Sequence, residues 1–177
     1  MGLVHHGIPP KLALDLKQKY DLDIFVETGT LVGNTAKWAS EHFSQVYTVE
    51  CSYKFYILAL DKLKGLSNVE LIHGFSQYVL KGILPSLTGP VLFWLDAHWS
   101  RDLGYSNSQK VLCPVMEEIE AIGKSEFDHV ILVDDFRLFG EQAGWPTKTQ
   151  VKRKLEGLNK IVTFSTDVFM AVPNDKS

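Results

Sequence analysis

Cysteine is scarce: Cys51 and Cys113 are the only two among 177 residues, far apart and without a second metal-type ligand at short spacing. That excludes a disulfide framework and a cysteine-rich zinc site, and two free thiols in a reducing compartment are expected. Long apolar runs are also missing. None approaches the roughly 18 residues of a membrane span, and residues 1–19 show no apolar core after a basic start, so no secretory signal is read and the cytoplasm is the expected location. Positive charge is not concentrated. Lysine and arginine number 18 against 21 aspartates and glutamates, a net charge of −3, and without a basic stripe nucleic acid is excluded as the main partner. No repeat, low-complexity tract or Pro/Gly/Ser-rich linker breaks the chain, so one domain over 1–177 is expected. With 45% hydrophobic and 22% charged residues the chain lies far from the disordered range. An enzyme with a small-molecule substrate fits this balance, and a homo-oligomer is compatible with it.

What the chain does have is an alternation. Apolar runs at 24–26, 46–49, 69–72, 91–95 and 130–133 are followed by helix-like stretches at about 34–43, 53–63, 76–84, 114–122 and 147–158. Pro114 suits a first helical turn, where its missing N–H costs nothing. The runs are continuous more than alternating, as strands buried on both faces read, and five β-then-α units imply a parallel sheet flanked by helices. The end differs. Runs at 161–164 and 168–172 are separated only by Ser165-Thr166-Asp167, too few residues for a parallel crossover, so they are predicted to form an antiparallel hairpin. The expected fold class is α/β: a doubly wound, mostly parallel sheet of about seven strands, closed by a C-terminal antiparallel hairpin.

In open sheets of this kind ligands bind beyond the carboxyl ends of the strands. The residues there are Glu27-Thr28-Gly29-Thr30, Glu50-Cys51, Gly74-Phe75-Ser76, Asp96-Ala97-His98-Trp99 and Asp134-Asp135, and carboxylates end four of the five strands. Between the first strand and its helix, Gly29 and Gly33 can take positive φ and let a ligand lie against the backbone, while the helix start offers free N–H groups. The segment is neither a phosphate loop nor a G-x-G-x-x-G dinucleotide motif. Alone it also reads as a plain tight turn. Glu50 follows Gly29 by about twenty residues, the spacing at which a carboxylate accepts hydrogen bonds from ribose hydroxyls; the other reading is an exposed acid capping the helix that begins near Ser52.

With these residues the sequence resembles the class I S-adenosylmethionine-dependent methyltransferases, over nearly its whole length. The resemblance implies a Rossmann-like fold with S-adenosyl-L-methionine as cofactor. Glu27, Thr28, Gly29, Thr30, Gly33, Asn34 and Thr35 match the first motif, Glu50 with Cys51 the ribose-holding segment, and Gly74, Phe75 and Ser76 the segment bordering adenine. Asp96 is placed beside the cofactor as well. A closer likeness is to metal-dependent O-methyltransferases of the macrocin and catechol types, which implies that Asp96, Asp134 and Asp135 hold a divalent cation such as Mg²⁺. Three departures stand out. The first motif has two glycines where many members have three, Phe75 stands where an acid often contacts adenine, and about twenty residues precede the first strand where many relatives carry a longer helical cap.

Methyl transfer to a hydroxyl needs an oxygen nucleophile that has lost its proton or holds it weakly, in line with the methyl carbon. A cation held by carboxylates can lower that oxygen's pKa, and three aspartates as hard donors suit Mg²⁺ better than zinc. The same aspartates could instead satisfy loop N–H groups. Asp96 and His98 are the candidate catalytic residues. In the catechol type a lysine just after the matching tryptophan is the base, whereas Ser100 and Arg101 follow Trp99 here, which makes His98 the nearest substitute; base, metal ligand and loop cap stay open as its roles. His73 is expected to be a satisfied core histidine, and His5-His6 carry no weight. Residues 100–112 read as a substrate lid, and 137–146, with Phe139, Gly140 and Trp145, as an opposite wall. Two rival readings are a metal-dependent hydrolase on a similar sheet and a non-catalytic nucleoside-binding module.

Overall fold

The computed structural model describes residues 7–98 and 112–174. Helix α1 (Pro10–Tyr20) opens with proline at its first position and stops at Asp21, whose left-handed backbone ends it. There follow β1 (Ile24–Thr28), α2 (Asn34–Ser40), β2 (Gln45–Glu50), α3 (Tyr53–Leu63), β3 (Val69–His73), α4 (Ser76–Ile83) and β4 (Val91–Leu95). The second half comprises α5 (Val115–Ile122), β5 (Val130–Val133), α6 (Lys148–Glu156), β6 (Lys160–Ser165) and β7 (Val168–Pro173). Every predicted strand lies within an observed one. The second helix is shorter than its pattern, because after Ser40 the chain closes tighter turns, Glu41 N–H to Trp38 and His42 N–H to Ala39. Pro114 caps α5 from outside the helix. Helix α6 starts in a capping box, where Thr147 and Gln150 each accept from the other's backbone N–H.

The strand order is β3-β2-β1-β4-β5-β7-β6. The first five strands run parallel, and β7 is antiparallel to both β5 and β6. The hairpin therefore does more than extend the sheet: its second strand enters between β5 and β6. Burial accounts for this order, since β7 buries Val168, Phe169 and Ala171 while β6 leaves Ile161 and Phe164 exposed. Complete burial of the strands holds for β4 and β5 but fails for β3 and β6, which form the two edges.

The sheet divides two cores. Val26, Phe93, Ile131 and Phe169 meet Ile119 of α5 and Leu155 of α6 on one face, and Phe25, Leu92 and Trp94 meet α1, α2 and α3 on the other. The chain winds outward from β1 to β3 and then returns to β4, so the crevice between β1 and β4 is the switch point where such sheets bind ligands. Among the described residues no helix is long and apolar enough to cross a membrane.

Candidate functional site

At the end of β1 the chain turns through Gly29 (φ 86°), Leu31 (φ 51°) and Gly33 (φ 79°). A Cβ on Gly29 would lie 2.5 Å from the Asp96 carbonyl oxygen, so glycine is needed for the turn to pass the end of β4. The N–H groups of the turn itself, ahead of the helix start, are engaged within the chain. Gly29 and Thr30 donate to Val49 (2.9 and 3.2 Å), Gly33 to Thr30 (2.9 Å) and Leu31 to Glu50 Oε2 (2.8 Å). The first two bonds arise because the β2 backbone continues its ladder into the turn.

Below the turn, the Thr48 hydroxyl donates to Glu27 Oε2 (2.6 Å), which leaves Thr30 as donor to Thr48 (2.6 Å). Burial pushes the Glu27 pKa up to about 8, against the hydrogen bond from Thr48. Glu50 is not the exposed acid of the alternative reading; it is 1% exposed. Its Oε1 accepts from Ser52 N–H (2.7 Å) while Oε2 takes Leu31 N–H, so one carboxylate joins the glycine turn to the start of α3. Burial raises its pKa and these backbone bonds counter the rise.

Across the crevice, Asp96 N–H donates to Thr28 (3.0 Å) and Asp134 N–H to Leu95 (3.1 Å), which places the acids on the rim of β4 and β5. His98 stands between two of them, Nδ1 3.6 Å from Asp96 Oδ1 and Nε2 3.4 Å from Asp135 Oδ2. Burial opposes a charge on His98, but Asp96 and Asp135 outweigh it and the pKa is raised. Asp134 is pushed up to about 8 by burial and by Asp96. Asp135 adopts a left-handed backbone (φ 60°, ψ 36°), a strained state for a residue with a side chain. Asp134 Oδ1 accepts its N–H (2.7 Å), and Arg137 lies 2.8 Å from its carboxylate while also pairing with Asp167.

Two sets of donors converge among the described residues: Asp96, His98 and Asp135, and Asp134, Asp135 and Asp167, each with atoms within 4.8 Å of one another. The trio predicted from sequence is thus divided. Arg137 already places a cation on the second set, at Asp135 and Asp167. A small, open cavity lies on the first, lined by Asp96, His98, Glu118, Asp134, Phe139 and Trp145 among others.

No protein-family model matches the chain, and no curated protein matches its sequence. Solved structures do match. The O-methyltransferase from Bacillus cereus, in complex with SAH, superposes with a TM-score of 0.65 at 22% identity, over 97% of this chain and 84% of that one. The precorrin-6y C5,15-methyltransferase from Geobacter metallireducens gives 0.60 at 16%, over 93% and 87%. CalS10 from Micromonospora echinaspora, an amino pentose methyltransferase with SAM bound, gives 0.60 at 12%, over 93% and 89%. The fold is that of the class I S-adenosylmethionine-dependent methyltransferases. Sharing this methyltransferase fold does not assign an acceptor, since these proteins carry names for unrelated ones.

On that methyltransferase fold the remaining predicted residues fall as follows. Asn34 accepts from Lys62 of α3, Thr35 lies near Glu27, and Cys51 is half-buried beside Glu50. Gly74 N–H donates to the Glu50 carbonyl (2.9 Å), Phe75 is half-exposed with its ring edge-on to Tyr78, and Ser76 is buried at the start of α4. His73 is not a core histidine: β3 is an edge strand, and the ring sits exposed against Tyr53 and Tyr56. Phe139 and Trp145 do form a wall, with Trp145 edge-on to His98 at 5.2 Å. Trp99 and nearly all of the proposed lid, 99–111, lie outside the described residues. Cys113 lines the cavity, where burial pushes its thiol up to about 12 and leaves no thiolate.

Sequence reasoning missed Glu118. Its charge next to Glu117 reads as a solvated helix face, yet Glu118 is fully buried. The signal was helical phase: Glu118 stands three residues after Val115 and four before Ile122, both buried.

Proposed function

We propose that the protein is an S-adenosylmethionine-dependent methyltransferase that modifies a hydroxyl of a small molecule or glycosyl group with the help of a divalent cation. One observation carries the reading. The crevice of a methyltransferase fold ends, on its β4 and β5 side, in two carboxylates and an imidazole whose donor atoms lie within 4.8 Å. Oxygen donors with one nitrogen fit a hard or borderline divalent cation such as Mg²⁺ or Mn²⁺.

When bound, the cation supplies a lowered pKa at the acceptor hydroxyl. Asp96, His98 and Asp135 would hold it, with Asp134 orienting Asp135 through the N–H it accepts. This favours a ligand role for His98 over that of a free base, because both ring nitrogens already face carboxylates. Phe139 and Trp145 would limit water at the acceptor. Glu50, beside the turn at the end of β2, would meet the ribose. The S-adenosylmethionine and SAH complexes among the similar structures support the cofactor.

Calorimetric titration with S-adenosylhomocysteine, with and without Mg²⁺ or Mn²⁺, tests both halves. Binding of the nucleoside and a separate cation heat lost in His98→Ala are expected. Cofactor binding with full turnover in excess chelator would leave a methyltransferase that uses no metal. A cation heat without nucleoside binding would favour the hydrolase.

A further inference from the structure

We propose that Glu118 and Thr28 form a receptor for an amino group of the ligand. Both side chains are fully buried, and neither Glu118 carboxylate oxygen nor the Thr28 hydroxyl has a hydrogen-bond partner among the described residues. Native proteins rarely leave such groups unsatisfied, because desolvation is not repaid. Glu118 lines the same cavity as Asp96 and His98. Ser76 and Thr28 are its polar neighbours, and their hydroxyls only partly offset the burial that pushes its pKa up to about 7.

The deficit has a direction. The two carboxylate oxygens lack a well-formed bond, and the Ser76 and Thr28 hydroxyls beside them bring at most one proton each, so the complement must bring further donors to one point. A hydroxyl brings one; an amine or ammonium brings two or three. The lining points the same way, since Asp96, Asp134 and Asp135 line the cavity with Glu118 and offer acceptors in excess of donors. A metal ion is not the natural complement, because Glu118 belongs to neither converging donor set. This inference rests on the proposed methyltransferase reading, and the amine belongs either to the cofactor or to the acceptor.

The full chain is compared with Glu118→Gln and Glu118→Leu by thermal shift and calorimetry. Both variants are expected to melt higher, since each removes an unpaired buried acid, while losing ligand affinity; a structural acid would do the reverse. Methylammonium chloride should raise the parent's melting point above tetramethylammonium chloride at equal ionic strength, and the variants should show no difference. If the amine is the cofactor's, S-adenosylhomocysteine should abolish the methylammonium effect, and its own affinity should fall about 10- to 100-fold in Glu118→Leu. If it is the acceptor's, the methylammonium effect should persist with S-adenosylhomocysteine bound. Equal responses of parent and variants to both cations and to S-adenosylhomocysteine would overturn the receptor. Failure of the parent to bind S-adenosylhomocysteine would instead sink the methyltransferase reading, with the methylammonium comparison still deciding on the receptor.

Discussion

The two banks of the crevice are built on opposite terms. On the β1 and β2 side Glu27, Thr30, Thr48 and Glu50 satisfy one another and the glycine turn, with every distance between 2.6 and 2.8 Å. On the β4 and β5 side Asp96 and Asp135 meet His98 only at 3.4 to 3.6 Å, and Glu118 has, among the described residues, only the Ser76 and Thr28 hydroxyls near its carboxylate, neither in a well-formed hydrogen bond. The first bank is a finished scaffold whose polar groups rigidify the turn. The second is incomplete on its own, and incomplete polar groups in a cleft mark where a ligand is expected.

The sharpest way to break the contrast is to remove an acid from the open bank. Asp96→Asn should reduce divalent-cation affinity at least about 100-fold, read by calorimetry, and take turnover with it. If cation binding survives intact, the donor set lies elsewhere.

A comparable blow to the closed bank should appear in stability. Gly29→Val puts a Cβ against the Asp96 carbonyl and forces a branched residue into positive φ, with an expected cost of about 3 kcal/mol and a fall in Tm of roughly 2–4 °C per kcal/mol. It is therefore a poor probe of ligand approach, and an unchanged Tm would show that the turn is not as tightly built as described.

Glu27 gives the next effect through pH. Its folded pKa is about 8 against an ordinary 4.5, so the folded chain binds the extra proton across that window and stability falls as pH rises from about 4.5 to 8. Glu27→Gln should flatten that decline in Tm, and a profile identical to the parent's would mean that Glu27 is ionised in place.

The smallest effect expected comes from the opposite end of the strands. His129 accepts Val91 N–H on Nδ1 (3.1 Å), so its proton sits on the buried Nε2, and burial pushes its pKa down to about 4 from 6.5. The unfolded chain binds the proton first, and this contribution to stability is lost as pH falls from 6.5 to about 4. His129→Leu should soften the acid limb of the Tm profile without touching the Glu27 limb or ligand binding.

Much of this molecule could be read from local pattern. Continuous apolar runs and the three-residue link at 165–167 were enough for a parallel sheet with an antiparallel closing hairpin, because buried strands and short connections leave their mark in neighbouring residues. The acids at the strand ends were legible for the same reason. Which acid meets which was not. Tertiary packing placed β7 inside β6, turned Glu50 inward to hold Leu31 and Ser52, set His98 between Asp96 and Asp135, and gave Asp134 to the backbone of Asp135. It also buried Glu118 beneath the crevice. Periodicity reports the face a residue occupies on its own element; the partner on that face comes from another part of the chain, and only the packing of helix on sheet selects it.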